Sequence, residues 1–375
     1  MLQNKIYQNY SFEIIKLFIT ILLSLSLIAW TVRAVNFLDL IVESGYSLIT
    51  YFEYSILNIF GIITKFIPLS FLLAITIFIL RQIQENEFII LWTSGVKKIQ
   101  IVNLFLFISI IVTIFHLFFS IVLAPAALNK SRHLLSNQNF TSLLPTFKIQ
   151  KFTDAFEGLT FIVDNKFQNK ISNIFLHDDS NNLKNVLVNN QSNNTTTIIA
   201  KSGIVEDKQL LLYNGNIISS KNNLENEVLK FEKIIIDLTG LTNSTIKKPK
   251  IQETSTLKLI GCANNDFLND INCKGNFKQE VFPTLNRRII LPFFIPLIAL
   301  ISSLLLIKTQ KKLIFNNFSI FGYSFIVLLY AELIIRFTGK NFLITNLFIF
   351  SPFVLSIMIY IFIKYKFLKE ALKDE

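Results

Sequence analysis

Six apolar runs limit what this chain can become: residues 17–38, 55–80, 99–123, 289–307, 315–337 and 342–363. A helix crosses the hydrocarbon core of a bilayer in roughly 20 residues, and inside that core backbone polar groups must be satisfied by the protein itself. Runs of this length read as transmembrane helices. Between the third and fourth lies a polar block, 124–286, with no run long enough to span. The layout is three helices, a large insert, then three helices. Composition agrees: 52% of the 375 residues are hydrophobic and 16% charged, against about 25% charged in soluble domains.

Orientation follows from the Lys and Arg of short loops. One side collects Lys5, Lys16, Arg81, Lys97, Lys98, Lys308, Lys311, Lys312, Lys364, Lys366, Lys369 and Lys373; the short loops opposite hold Asp39, Glu43, Glu53 and Lys340. Both termini and the loop 81–98 are therefore expected in the cytoplasm. The insert is expected outside, since long domains translocate largely regardless of charge. The net charge of +11 sits largely in short loops, where it sets orientation, so a nucleic-acid partner is not expected. Lys5, Glu13 and Lys16 precede a first apolar run too long for a signal-peptide core, which is expected to stay in the membrane.

The insert reads as β. Short runs rich in Ile, Val, Leu, Thr and aromatics occupy 159–163, 171–177, 195–200, 203–206, 209–213, 216–219 and 232–238, separated by Asn-, Asp-, Gly- and Ser-rich breaks. This spacing predicts an all-β sandwich or jelly roll. Asn214-Gly215 is predicted to be a hairpin turn, both positions tolerating positive φ. Residues 124–136 are predicted to form a helix leading out of the membrane, and 241–273 a less regular return. The expected domains are 1–124, 125–286 and 287–375. Cys262 and Cys273 match no zinc spacing; a disulfide in an oxidising compartment and two free thiols both remain open.

A charged island, Arg81 to Lys98 (RQIQENEFIILWTSGVKK), separates the second and third runs. Within it Glu85, Glu87, Phe88, Ile89, Leu91 and Trp92 form a small amphipathic segment ending at Thr93-Ser94-Gly95. An apolar face where a turn would suffice marks a docking element for a soluble partner. Catalytic chemistry is sparse. His116, His133 and His177 share no metal-like spacing, and the sequence holds no G-x-x-x-x-G-K-[ST] phosphate loop. No metal or catalytic site is predicted, no cofactor is expected on this chain, and energy for any active process is expected from another.

Charges inside membrane runs are costly unless paired or facing water. Arg33 and Lys65 read either as side chains snorkelling to the interface or as cavity residues holding an anionic group such as a phosphate. Arg287 and Arg288, at the mouth of the fourth run, read as a rim to that cavity or as interfacial anchors. Glu332 and Arg336, four apart, are expected to neutralise each other. Pro68, Pro125 and Pro292 read as helix-boundary prolines.

Several stretches together resemble one family: Phe66-Ile-Pro68-Leu-Ser-Phe-Leu-Leu-Ala74, Glu85-Asn86-Glu87-Phe88-Ile-Ile-Leu91 with Thr93-Ser94-Gly95-Val96, the exit Leu123-Ala-Pro125, and Asn286-Arg287-Arg288 with Pro292. On these the chain is similar, over essentially its whole length, to the LptF/LptG permeases of the lipopolysaccharide export ABC transporter. The resemblance implies a heterodimer of paralogous permeases on a cytoplasmic ABC ATPase dimer that hydrolyses the ATP. It implies periplasmic jelly-roll bridge proteins and lipopolysaccharide as substrate. It also implies that 81–98 is a coupling loop whose ATPase-coupling residues include Glu85 and Gly95, with Glu87 as its acidic contact and Phe88, Leu91 and Trp92 as apolar anchors. Arg33 would touch phosphate or core sugar, and the segment after it, Leu38 to Gly45, leans toward LptF over LptG. Two alternatives are a lipoprotein-releasing or mechanotransmission permease, which the helix count disfavours, and a membrane-anchored periplasmic binding or sensor protein, which leaves the amphipathic loop unexplained.

Overall fold

The computed structural model of the protein describes residues 2–42, 46–137, 149–156, 158–179, 195–206, 209–221, 225–237, 250–263, 277–307 and 317–374. The apolar runs fold as helices that overshoot them: α1 (Leu2–Asn36), the short α2 (Asp39–Val42), α3 (Leu48–Gln84), α4 (Glu87–Thr93) and α5 (Lys98–Phe118). A π-helical turn, Phe119–Leu123, carries α5 into α6 (Ala124–Asn137), the expected exit helix. Beyond the insert come α7 (Thr256–Ala263), α8 (Phe277–Ile289), α9 (Phe294–Ser303), α10 (Asn317–Ile335) and α11 (Phe342–Asp374).

Among the described residues five helical segments are long and apolar enough to cross a membrane: Lys5–Val42, Leu48–Gln84, Lys98–Leu135, Glu280–Leu306 and Leu343–Glu370. The sixth expected span corresponds to α10, which is apolar but only 19 residues long as described. The fourth span is broken, a 3-10 turn at Leu291–Phe293 separating α8 from α9 where Pro292 removes a backbone donor. Phe71, Phe78, Phe105, Ile14, Ile67 and Ile75 are fully buried, and α1, α3, α5 and α9 all contribute to that core.

Pro68 lies inside α3, not at a boundary. A proline there removes the bond from its own nitrogen to the carbonyl four residues back, which belongs to Thr64. His116 of α5, buried among the helices, lies beside that carbonyl. In a bilayer a helix-interior proline is tolerated where a neighbouring helix offers a polar group to the carbonyl that the proline leaves behind.

Residue contacts divide the chain into two units, 1–31 with 57–129 and 250–375, and 32–56 with 130–249. Residues 250–263 group with the first unit, packing on α8 and on the π-helical turn. In the second unit Tyr46 donates to the Leu135 carbonyl at 3.1 Å and Tyr51 to Ala34 at 3.0 Å.

Between α6 and residue 250 the described elements of the insert are β, as expected. Strands β1 (Thr153–Phe156), β2 (Leu159–Phe167), β3 (Lys170–Asp178), β4 (Thr195–Glu206), β5 (Gln209–Lys221) and β6 (Glu225–Asp237) form one antiparallel sheet in chain order, a meander. Two strands expected at 195–200 and 203–206 are one, β4, and two expected at 209–213 and 216–219 are one, β5. What was read as a break is a crease. The pairing passes from Ile174↔Ala200 to Ser172↔Ser202, and from Ala200↔Gly215 to Ser202↔Tyr213, at unchanged register. The positions stepped over line up across five strands: Asp164, Asn173, Lys201, Asn214 and Glu232, all exposed.

At this line the inward face changes phase. In β4 the buried residues are Thr196, Ile198 and Ala200 before it and Gly203 and Val205 after it. A slip of one residue would turn a strand inside out. Because the paired strands all carry the extra residue, both halves keep an apolar face toward one cluster, which includes Phe161, Ile174, Ile198, Leu212 and Ile236. Asn173 and Asn214 take positive φ, 49° and 52°, so the Asn214-Gly215 pair kinks a strand where a hairpin was expected. Gly215 is required by space: a Cβ there would lie 2.3 Å from the Ile199 carbonyl oxygen and 2.5 Å from the Phe231 ring.

Candidate functional site

The loop between α3 and α5 is a built element. α3 ends at Gln84, Asn86 adopts left-handed backbone at φ 58°, and the seven residues of α4 follow. Gly95 terminates the segment at φ 87°, with its N–H on Trp92 O and that of Val96 on Leu91 O; only glycine adopts this conformation readily. Lys97 N–H then bonds Gln100 Oε1 at 3.1 Å and opens α5.

Helical spacing divides the apolar residues of α4 between two faces. Phe88 and Leu91, 3% and 6% exposed, turn inward and join the core with Val96. Trp92 is half-buried and stacks on Phe88 at 5.7 Å. Ile89 and Ile90, 58% and 65% exposed, point away from the chain. The anchors expected from the sequence thus hold α4 to its own helices, and the outward apolar pair is Ile89 and Ile90.

The first helix reaches this element directly. Tyr10 of α1 is buried, donates to Glu87 Oε2 at 3.2 Å, and lies 3.4 Å from Gln82 Oε1. Its ring meets Phe78 and Phe88 edge-on at 5.3 and 6.4 Å. Nearby, Arg81 pairs with Glu13 at 2.7 Å and with Glu85 at 3.0 Å. On the other flank Lys98, the first residue of α5, pairs with Glu370 at 2.5 Å and lies over the Phe367 ring of α11.

The four candidate cavity cations fare differently. Arg33 is exposed in the last turn of α1, and Lys65 is exposed on α3 three residues before Pro68. Arg287 pairs with Glu332 of α10 at 2.7 Å. Glu332 was expected to pair with Arg336, but α10 ends at Ile335 and Arg336 lies beyond its last turn. Arg288 faces the other way, 6% exposed. Its Nη1 donates to Thr254 O and Thr256 Oγ1, both at 2.9 Å, and its Nη2 to Gln252 O at 2.9 Å. Thr256 in turn donates to Ile121 O within the π-helical turn at 2.9 Å. Arg288 therefore fastens the segment returning from the insert to the third span. On that segment Cys262 is disulfide-bonded; Cys273 lies outside the described residues.

Tyr10, Ile90 and Thr256 carried no signal that spacing alone could rank. Glu13 and Arg81 were visible only as charges, and Glu370 as part of a charged tail.

Comparison with known proteins bears on what this arrangement does. The profile of the family described as lipopolysaccharide export system permease LptF/LptG matches residues 10–366. No curated protein matches the chain.

Proposed function

The chain belongs to the LptF/LptG family of lipopolysaccharide export permeases, and from that premise we propose that it is the membrane subunit through which a separate cytoplasmic ABC ATPase dimer drives lipopolysaccharide out of the inner membrane. The observation that carries this reading is α4: a short helix fixed to its own chain by Phe88, Leu91 and Glu87 while Ile89 and Ile90 stand exposed. Two adjacent exposed isoleucines on a rigid loop have the form of a plug for an apolar groove, and the Lys/Arg tally supports its placement in the cytoplasm. Glu87, half-buried beside them, supplies the acidic contact.

A paralogous permease completes the transport path, and the β insert passes substrate to periplasmic bridge proteins. Arg33 and Lys65, exposed cations in membrane helices, take the phosphates of lipopolysaccharide. Arg287 and Arg288 have the internal roles of pairing Glu332 and fastening the return segment. The test is purification in mild detergent followed by mass spectrometry. A cytoplasmic ATPase, a second permease of this family and bound lipid A species are expected. Recovery of the chain alone would favour a membrane-anchored binding protein and sink the proposal.

A further inference from the structure

We propose that Tyr10 is a positioning residue for Glu87, and through it the strut by which a movement of α4 reaches the first transmembrane helix. This rests on reading α4 as the docking helix. At seven residues, α4 is far below the ~12–15 at which a helix begins to hold itself together in water. Its conformation and placement come from what it packs against. Phe88 and Leu91 set its depth in the core, but apolar burial is non-directional and leaves rotation about the helix axis loosely fixed. A hydrogen bond to an ionised carboxylate has a direction. The Tyr10 hydroxyl supplies one, at 3.2 Å from Glu87 Oε2, in a buried setting where a phenol needs a partner.

The geometry also gives the contact a route. α3 and α5 are joined to α4 through short connections and feel any push on it directly. α1 has no covalent link to it; Tyr10 carries its hydrogen bond to α4, with the edge-on contacts to Phe78 and Phe88 behind the hydroxyl. The Glu13–Arg81–Glu85 chain lies close by but is largely exposed, and surface pairs of this kind contribute little. Tyr10 is the tie that a load would pass through.

Tyr10→Phe keeps the ring and its packing and removes only the hydroxyl. In the complete transporter, with partner permease and ATPase in proteoliposomes carrying lipopolysaccharide, it is expected to lower ATP-driven lipopolysaccharide release about tenfold, the effect of losing a hydrogen bond to a charged group. The ATPase should still co-purify at wild-type stoichiometry. Glu87→Gln should lower release as well, and the double variant should lie within about twofold of Glu87→Gln alone, because coupled sites do not add. A purely structural tyrosine would instead multiply its loss onto that of Glu87→Gln. Wild-type release in Tyr10→Phe, or independent effects in the double variant, would overturn the inference while leaving the docking reading intact. Failure of the wild-type chain to hold an ATPase would overturn both.

Discussion

His116→Leu tests whether the structure has identified what allows a proline inside the second membrane helix. Leucine fills a similar volume, so little cavity penalty is expected; the change removes the polar group beside Thr64 together with Nδ1, a buried atom that has no partner of its own among the described residues. The imidazole is the donor group placed beside the Thr64 carbonyl, which Pro68 deprives of its helical partner. An unmade buried hydrogen bond costs ~1–3 kcal/mol, and within membranes measured values run lower, averaging about 0.6 and reaching about 1.7. A loss of about 1 kcal/mol is expected, read by reversible unfolding in mixed micelles. The Pro68→Ala background supplies the internal control. Alanine restores an N–H at position 68 that closes onto Thr64 O, so His116→Leu should then cost less than about 0.5 kcal/mol, the usual error of additivity. An equal penalty in both backgrounds would refute the reasoning.

Three further outcomes follow from burial and geometry. Phe88→Ala should destabilise the chain by roughly 3–5 kcal/mol, whereas Ile90→Asp should leave stability within about 0.5 kcal/mol and abolish ATPase co-purification; thermal melts and pull-downs on both variants separate the inward face from the outward one. Arg288→Lys gives up a fork that engages Gln252, Thr254 and Thr256, so it should lower stability by about 2 kcal/mol and open 250–256 to protease first. Gly215→Val places side-chain atoms against Ile199 O and Phe231; it should destabilise the insert by about 3 kcal/mol or more, seen as protease sensitivity of 159–237 with the membrane helices intact.

Membrane architecture was legible because hydrocarbon imposes length and polarity limits that residues alone can meet or fail. The β character of the insert was legible for a similar reason, in alternation. The crease was visible but misread. Breaks drawn at 200–203 and 213–216 fall on Lys201 and Asn214, where the apolar phase shifts by one residue. A phase shift at polar residues is the signature of a turn when one strand is considered alone. It becomes a fold line only when the neighbouring strands, at Asn173 and Glu232, are known to shift at the same place.

The α4 segment posed a different ambiguity. Phe88, Ile89, Ile90, Leu91 and Trp92 are consecutive, so every side of the helix is apolar and nothing local says which side the chain itself covers. The contacts of Tyr10 and Arg288 were not legible because their partners, Glu87 and the carbonyls of 252–254, lie 77 and 34–36 residues away.

The central claim is that Ile89 and Ile90 are where an ATPase grips this permease. A photoreactive amino acid placed in turn at Phe88, Ile89, Ile90 and Leu91 in intact cells tests it most directly. Adducts to a nucleotide-hydrolysing subunit are predicted from positions 89 and 90, with 88 and 91 yielding only adducts within the chain. ATPase adducts from 88 and 91 with none from 89 and 90 would contradict the account, as would the absence of ATPase adducts from all four.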